Sequence, residues 1–174
     1  MTPYPSVMTS DGRPRSRPLA NNRSGEDVSD LDKRIIEHLQ TDGRRPFTQI
    51  AAELGVSEAA VRARTNRLIE RGILQVVGVT DPLKLGFHQM AMIGIRCESD
   101  QLVTVAEQVA EMPEVDYVVI TAGTYDLLIE TVCEDNEALL QFLTQKLRAL
   151  DGVRETETFV YLRMVKQTYQ WGTR

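Results

Sequence analysis

Four arginines, Arg62, Arg64, Arg67 and Arg71, crowd one short stretch, with Asn66 among them and the small residues Ala59 and Ala63 interleaved. These residue types suit one chemistry. A guanidinium donates a two-pronged hydrogen bond to guanine, an amide pairs with adenine, and alanines let a helix approach a groove closely. Placing Val61 at the centre of a buried stripe and stepping 100° per residue sends Ala59, Arg62, Ala63 and Asn66 outward, with Arg67 on the flank. Arg64, Arg67 and Arg71 are better placed for phosphates. Residues 57–72 hold four arginines against Glu58 and Glu70, whereas a merely solvated face more often mixes signs evenly. The stretch therefore points to double-stranded DNA.

Such a rod needs a scaffold, and the preceding residues supply one. Leu31, Ile35, Ile36 and Leu39 lie on one helical stripe, with Asp30 and Asp32 complementing its amino end and Gly43 stopping it. A shorter helix from Thr48 carries Ile50, Ala51 and Leu54, and Gly55 supplies the left-handed residue that ends it. Ser57 then caps the arginine-bearing helix, whose inner stripe is Val61, Leu68 and Ile69 and which closes at Gly72. Two helices joined by Leu54-Gly55-Val56-Ser57 and covered by an earlier helix form a helix-turn-helix.

The whole chain has 174 residues, 42% apolar and 26% charged, with a net charge of −5. A mainly disordered protein is excluded by that composition, and the lack of a long apolar run predicts no membrane span and a cytoplasmic location. Charge is unevenly divided: residues 30–75 hold eight basic against seven acidic side chains, and residues 76–174 eight against fifteen. Only the first part suits a polyanion. Residues 1–29 carry four of the seven prolines with Arg13, Arg15, Arg17 and Arg23, and read as a disordered tail.

Residues 75–86 read as a strand or wing (Gln75–Val79) and a hinge at Asp81-Pro82. A second domain, 87–166, follows, with strands over 87–97, 115–122, 126–133 and 153–165 and helices over 101–112 and 136–150; residues 167–174 form a C-terminal tail. Leu102, Val105, Ala106 and Val109, then Leu139, Leu143, Leu147 and Leu150, set the helical stripes. This βαββαβ order predicts an α+β, ferredoxin-like domain: a four-stranded antiparallel sheet with two helices on one side. Several strands are apolar on both faces, so the open face requires a cover, and a symmetric dimer is the simplest one. No catalytic, metal or cofactor residue is expected. His38 and His88 lack motif partners, and Cys97 and Cys133 read as buried small hydrophobes.

Taken together, Leu31-Asp32, Ile35-Ile36 and Leu39, then Leu54-Gly55-Val56-Ser57 through Val61, Arg64, Leu68 and Gly72-Ile73-Leu74, then Gly123-Thr124-Tyr125-Asp126, then Thr158–Tyr161 and Val165-Lys166-Gln167, resemble the leucine-responsive regulatory protein and asparagine-operon regulator family (Lrp/AsnC). The resemblance implies a non-enzymatic transcriptional regulator of amino-acid metabolism that assembles as dimers, often octamers, and senses a free amino acid. It points to the loop Gly123, Thr124, Tyr125 and Asp126, most strongly to Asp126, and to Val119, Asn136, Phe159, Val160 and Tyr161. Gly123 can turn its backbone amides toward a carboxylate and Asp126 can accept from an ammonium. Without the resemblance, the same residues read as a turn capped by Asp126. Family members commonly carry an acid where this chain has Thr124, which puts effector charge or identity in doubt. Two alternatives stay open: a ligand-independent nucleoid-organising protein, and a ferredoxin-like small-molecule enzyme or binding protein.

Overall fold

The computed structural model describes residues 28–168 and 173, which fall into two compact units. The tail expected over residues 1–29 lies almost wholly outside them. Helix α1 (Asp30–Thr41) starts at Ser29, whose hydroxyl accepts the Asp32 amide at 3.2 Å. Helix α2 (Phe47–Leu54) follows Pro46 and ends on Gly55 at φ 69, a left-handed conformation that a side chain would strain. Helix α3 (Glu58–Glu70) begins at Ser57, whose hydroxyl accepts the Ala60 amide. These caps satisfy helix-end donors that would otherwise be orphaned. Ile35, Ile50, Val61 and Leu68 are fully buried between the three helices, with Leu74 closing the core.

Gln75–Val79 forms no strand. Among the described residues it pairs with no strand, and Val77 and Val79 are exposed. A short 3₁₀ turn, Pro82–Leu85, then follows an Asp81 cap.

The second unit orders its strands β2-β3-β1-β4, all antiparallel: β1 (Gln89–Cys97), β2 (Val115–Ile120), β3 (Leu127–Cys133) and β4 (Val153–Val160). This is the ferredoxin-like plan. Ile93 pairs with Ile129 and Ile95 with Leu127 on the face covered by α4 (Leu102–Ala110) and α5 (Asn136–Gln141). Strand β4 stops at Val160 instead of reaching Val165. Its partner β1 begins at Gln89, so after the Tyr161 amide donates to the Met90 carbonyl no ladder remains, and Leu162 is 98% exposed.

Helix α5 also departs from the expected single run. It widens into a π turn over Phe142–Leu147, marked by the Arg148 amide reaching back five residues to Leu143. The extra residue lets Phe142 and Leu147 both enter the core and leaves Leu143 at its margin.

Within the second unit, no described helix covers the other sheet face. Met92 pairs with Phe159 on one side and with Glu130 on the other, Glu130 with Tyr117, and Leu128 with Val119. Tyr117 and Phe159 are 49% and 46% exposed.

Candidate functional site

On α3, Ala59, Arg62, Ala63 and Asn66 are all exposed and, with Glu58, line one shallow depression. Arg62 is prepared from two sides. Its guanidinium lies 5.2 Å above the centre of the Phe47 ring and 2.6 Å from Glu58, one turn earlier. Phe47 thus fixes where this guanidinium sits through a cation–π contact that the sequence pattern does not disclose.

Arg64 and Arg67 are placed differently. Asp32, only 2% exposed, accepts Arg64 Nη1 at 2.9 Å and Arg67 Nη2 at 3.3 Å, while the Ser29 hydroxyl donates to it at 2.7 Å. Burial alone would push the Asp32 carboxyl up, but the Ser29 and Arg64 hydrogen bonds and the charges of Arg64 and Arg67 outweigh it and hold the pKa below its ordinary value. The arrangement is a strut between α1 and α3. Arg67 remains 53% exposed and Arg64 34%. Arg71 is exposed at the end of α3. Arg64 therefore spends part of its hydrogen-bonding capacity inside the protein, which the spacing argument did not foresee.

In the second unit the loop between β2 and β3 is folded back onto the sheet. The Asp126 amide donates to the Ile95 carbonyl, the Asp126 carbonyl accepts the Thr121 amide, and one Asp126 carboxylate oxygen accepts the Cys97 amide at 2.8 Å. The loop carries Tyr125 over Gly94, where a β-carbon would lie 2.6 Å from the ring. Tyr125 meets Phe159 edge-on at 6.3 Å, and Arg96 covers the ring while donating to the Thr124 carbonyl. Gly94→Ala is expected to displace Tyr125 and cost about 1–3 kcal/mol, the usual penalty of overpacking, read as a lower urea midpoint with lost tyrosine near-ultraviolet dichroism.

The nine residues implicated around this loop do not form one cluster within a single chain. Gly123, Thr124, Tyr125 and Asp126 stand at one end of β3, and Val119 pairs beside them. Asn136 opens α5 beyond the other end of β3, roughly 20 Å away at the usual strand rise, and Tyr161 lies opposite Met90 near that far end. Phe159 lies near the end of the edge strand β4 on the open face, whereas Val160, paired with Ala91, belongs to the helix side. Tyr161 is pushed up to about 12 by burial and by a hydrogen bond to negatively charged Glu130. Cys97 and Cys133 are both buried, and burial raises both thiols, so neither is primed as a nucleophile. Among the described residues no group of three His, Cys, Asp or Glu could hold a metal, and no helix is long and apolar enough to cross a membrane.

Both units have known counterparts. Residues 28–69 match the AsnC-type helix-turn-helix domain and residues 90–171 the Lrp/AsnC ligand binding domain. An uncharacterised HTH-type transcriptional regulator of Pyrococcus abyssi is 35% identical over 146 residues, covering 83% of this chain and 90% of its own. The chain belongs to the Lrp/AsnC family of transcriptional regulators. A second relative, the HTH-type transcriptional regulator LrpA of Pyrococcus horikoshii, is 32% identical over 140 residues, covering 80% of this chain and 99% of its own. The structure of E. coli AsnC aligns with a TM-score of 0.74 at 25% identity, over 82% of this chain and 97% of that one. A transcriptional regulator of Neisseria meningitidis solved in complex with L-Met shares the fold at 23% identity, with a TM-score of 0.74 over 82% of this chain and 95% of its own. This Lrp/AsnC protein is thus a transcriptional regulator with a DNA-binding helix-turn-helix and a ligand-binding domain, and its relatives are regulators, not enzymes.

Proposed function

We propose that the protein recognises a roughly palindromic operator as a homo-oligomer and that a free amino acid bound by the second unit adjusts that binding. The observation that carries the first half is the exposed face of Ala59, Arg62, Ala63 and Asn66, in which two side chains able to read bases stand beside two too small to obstruct a groove. Arg67, Arg71 and the exposed part of Arg64 flank it as phosphate ligands, and Ser57 opens the helix beside them.

Oligomerisation is supported by the uncovered sheet face. At about 25 cal/mol for each Å² of apolar surface withdrawn from water, Tyr117, Phe159 and their half-buried neighbours favour a second copy by several kcal/mol. A two-fold arrangement also supplies two recognition helices for two half-sites. The effector reading is supported by the ligand-binding domain and by the built loop from Gly123 to Asp126; Asn136 and Tyr161 can join that loop only if another copy brings them there. One neighbour of the same fold, the Neisseria regulator, was solved with an amino acid.

The experiment is fluorescence anisotropy of the full chain against its own promoter and a scrambled duplex, repeated from low to physiological salt. Binding to the promoter at least 100-fold tighter than to the scrambled duplex at physiological salt is expected. Equal binding to both, with a steep salt slope, would replace operator recognition by non-specific, nucleoid-type association.

A further inference from the structure

The groove-facing side of α3 holds one group that does not suit a polyanion. Glu58, the first residue of the helix, lines the shallow depression together with Ala59, Arg62, Ala63 and Asn66, and its side chain is 43% exposed. The helix end does not need this carboxylate as a cap, because the Ser57 hydroxyl already accepts the Ala60 amide, and the carboxylate accepts Arg62 Nη2 at 2.6 Å instead. Nor does Arg62 depend on Glu58 for its place, since the guanidinium also rests on the Phe47 ring, 5.2 Å from its centre. Complementing the helix dipole accounts for an acid somewhere in the first turn, not for one on the side that meets DNA.

An ionised carboxylate can only accept hydrogen bonds. In the major groove guanine offers two acceptors, thymine one beside its methyl group, and adenine an acceptor next to its amino group, whereas cytosine presents an amino donor and no acceptor. Phosphate oxygens repel a carboxylate outright. Glu58, Arg62 and Asn66 stand at four-residue intervals along one edge of the helix, about 6 Å apart, which is close to two base-pair steps of about 3.4 Å. When Arg62 turns to a guanine, its ion pair opens and Glu58 is left facing the groove with its charge unanswered. A cytosine amino group within two steps of that guanine answers it. Guanine or thymine there repels it, and adenine satisfies it only in part.

We propose that Glu58 is a specificity-determining residue of this face, which admits a cytosine beside the guanine read by Arg62 and rejects duplexes that lack one. The assignment rests on the reading of α3 as an operator reader. Specificity is a difference between two affinities, and a residue can widen it by penalising the wrong partner. On the operator, Arg62 exchanges Glu58 for guanine and Glu58 exchanges Arg62 for cytosine, so both charges stay answered. On any other sequence one of the two exchanges fails: either Arg62 stays with Glu58 and is withheld from the bases, or Glu58 is stranded in the groove. Selectivity is thus obtained at the expense of general affinity for DNA. With Asn66 suited to adenine at the next interval, the half-site combines cytosine, guanine and adenine within about 12 Å of groove, or roughly four base-pair steps.

The test is fluorescence anisotropy of the full chain as wild type, Glu58→Ala and Glu58→Gln, with thermal melts to check that each variant folds. The probes are the footprinted stretch of its own promoter, the set of duplexes in which each base pair of one half-site is replaced in turn, and a scrambled duplex, all at physiological salt. Wild type is expected to lose about ten-fold or more when one particular C·G pair is replaced. Glu58→Ala should accept all four bases at that pair to within about three-fold and bind the scrambled duplex about three-fold more tightly than wild type does. Glu58→Gln, whose amide suits adenine, should move the preference at the same pair from cytosine to adenine. A base profile that both variants leave unchanged overturns the proposal and leaves operator recognition standing. So does equal tightening on operator and scrambled duplex, which would make Glu58 a general brake by charge. Wild type that does not distinguish its promoter from the scrambled duplex overturns both.

Discussion

Asp32→Ala is expected to destabilise the helical unit by about 2–3 kcal/mol, lowering its urea midpoint without changing the slope. Removing one partner of a buried charged network usually costs about 3–5 kcal/mol, because the remaining charges are stranded. Here the cost is reduced, since Arg64 and Arg67 are 34% and 53% exposed and can turn back to water once Asp32 is gone. What cannot be recovered is the tie itself: one carboxylate that joins the Ser29 cap of α1 to two points on α3. Asp32→Asn keeps an acceptor for Arg64 but not the charge, and should lose about half as much. The pH dependence has a defined sign. Because the folded-state pKa of Asp32 is depressed, its contribution is fully present above the unfolded value of 3.8 and disappears as the pH falls through the lower folded value. Wild type should therefore lose stability faster than Asp32→Ala below pH 3.8. Parallel loss in the two proteins would show that Asp32 ties nothing together.

The same carboxylate shows where reading a sequence reaches its limit. As a letter, Asp32 is an acid in the first turn of a helix, and complementing the helix dipole is sufficient reason for it. Its arginine partners lie more than thirty residues away, and no local pattern connects them to it. Within a single helix the outlook is better: stepping 100° from Val61 identifies the exposed group Ala59, Arg62, Ala63 and Asn66, because helical phase depends only on the residues themselves. Capping is equally local, so Ser57 and Gly55 could be placed from their neighbours.

The second unit was legible at the level of order and less so at its ends. Apolar runs marked four strands and two helices, and βαββαβ order with right-handed crossovers leaves few arrangements. Strand β4 is shorter than its apolar pattern, because Leu162, Met164 and Val165 have no pairing strand among the described residues, and pairing is a property of two segments. Phe142 escaped the helical stripe for a related reason. A stripe of leucines every four residues assumes an α-helix throughout, and the π turn shifts the phase by one residue midway. The role of Gly94 was invisible as well, since what requires a glycine there is the Tyr125 ring arriving from a distant loop. Apart from the π turn, the features that sequence reading does not reach are contacts at long separation.

Arg62→Ala and Asn66→Ala are each expected to cost about 1–3 kcal/mol of operator affinity, and to do so mainly on the operator, flattening the preference over a scrambled duplex. For Arg62 the competing term is its own ion pair with Glu58, which must open before the guanidinium can turn to a base. That pair is exposed on one helix face and is worth roughly 0.3–0.5 kcal/mol, well below the value of a two-pronged contact to guanine. DNA therefore wins the guanidinium, and Phe47 stays beneath it as a guide. Arg71→Ala should behave differently, weakening operator and scrambled duplex alike and reducing the salt slope by about one. Arg64→Ala should resemble Asp32→Ala in stability and change the slope least, since its charge is largely answered within the fold. Anisotropy titrations of the four variants on both duplexes, at three salt concentrations, separate these outcomes. If Arg62→Ala and Asn66→Ala lose affinity equally on both duplexes, then this face of α3 contacts phosphates and the bases are read elsewhere.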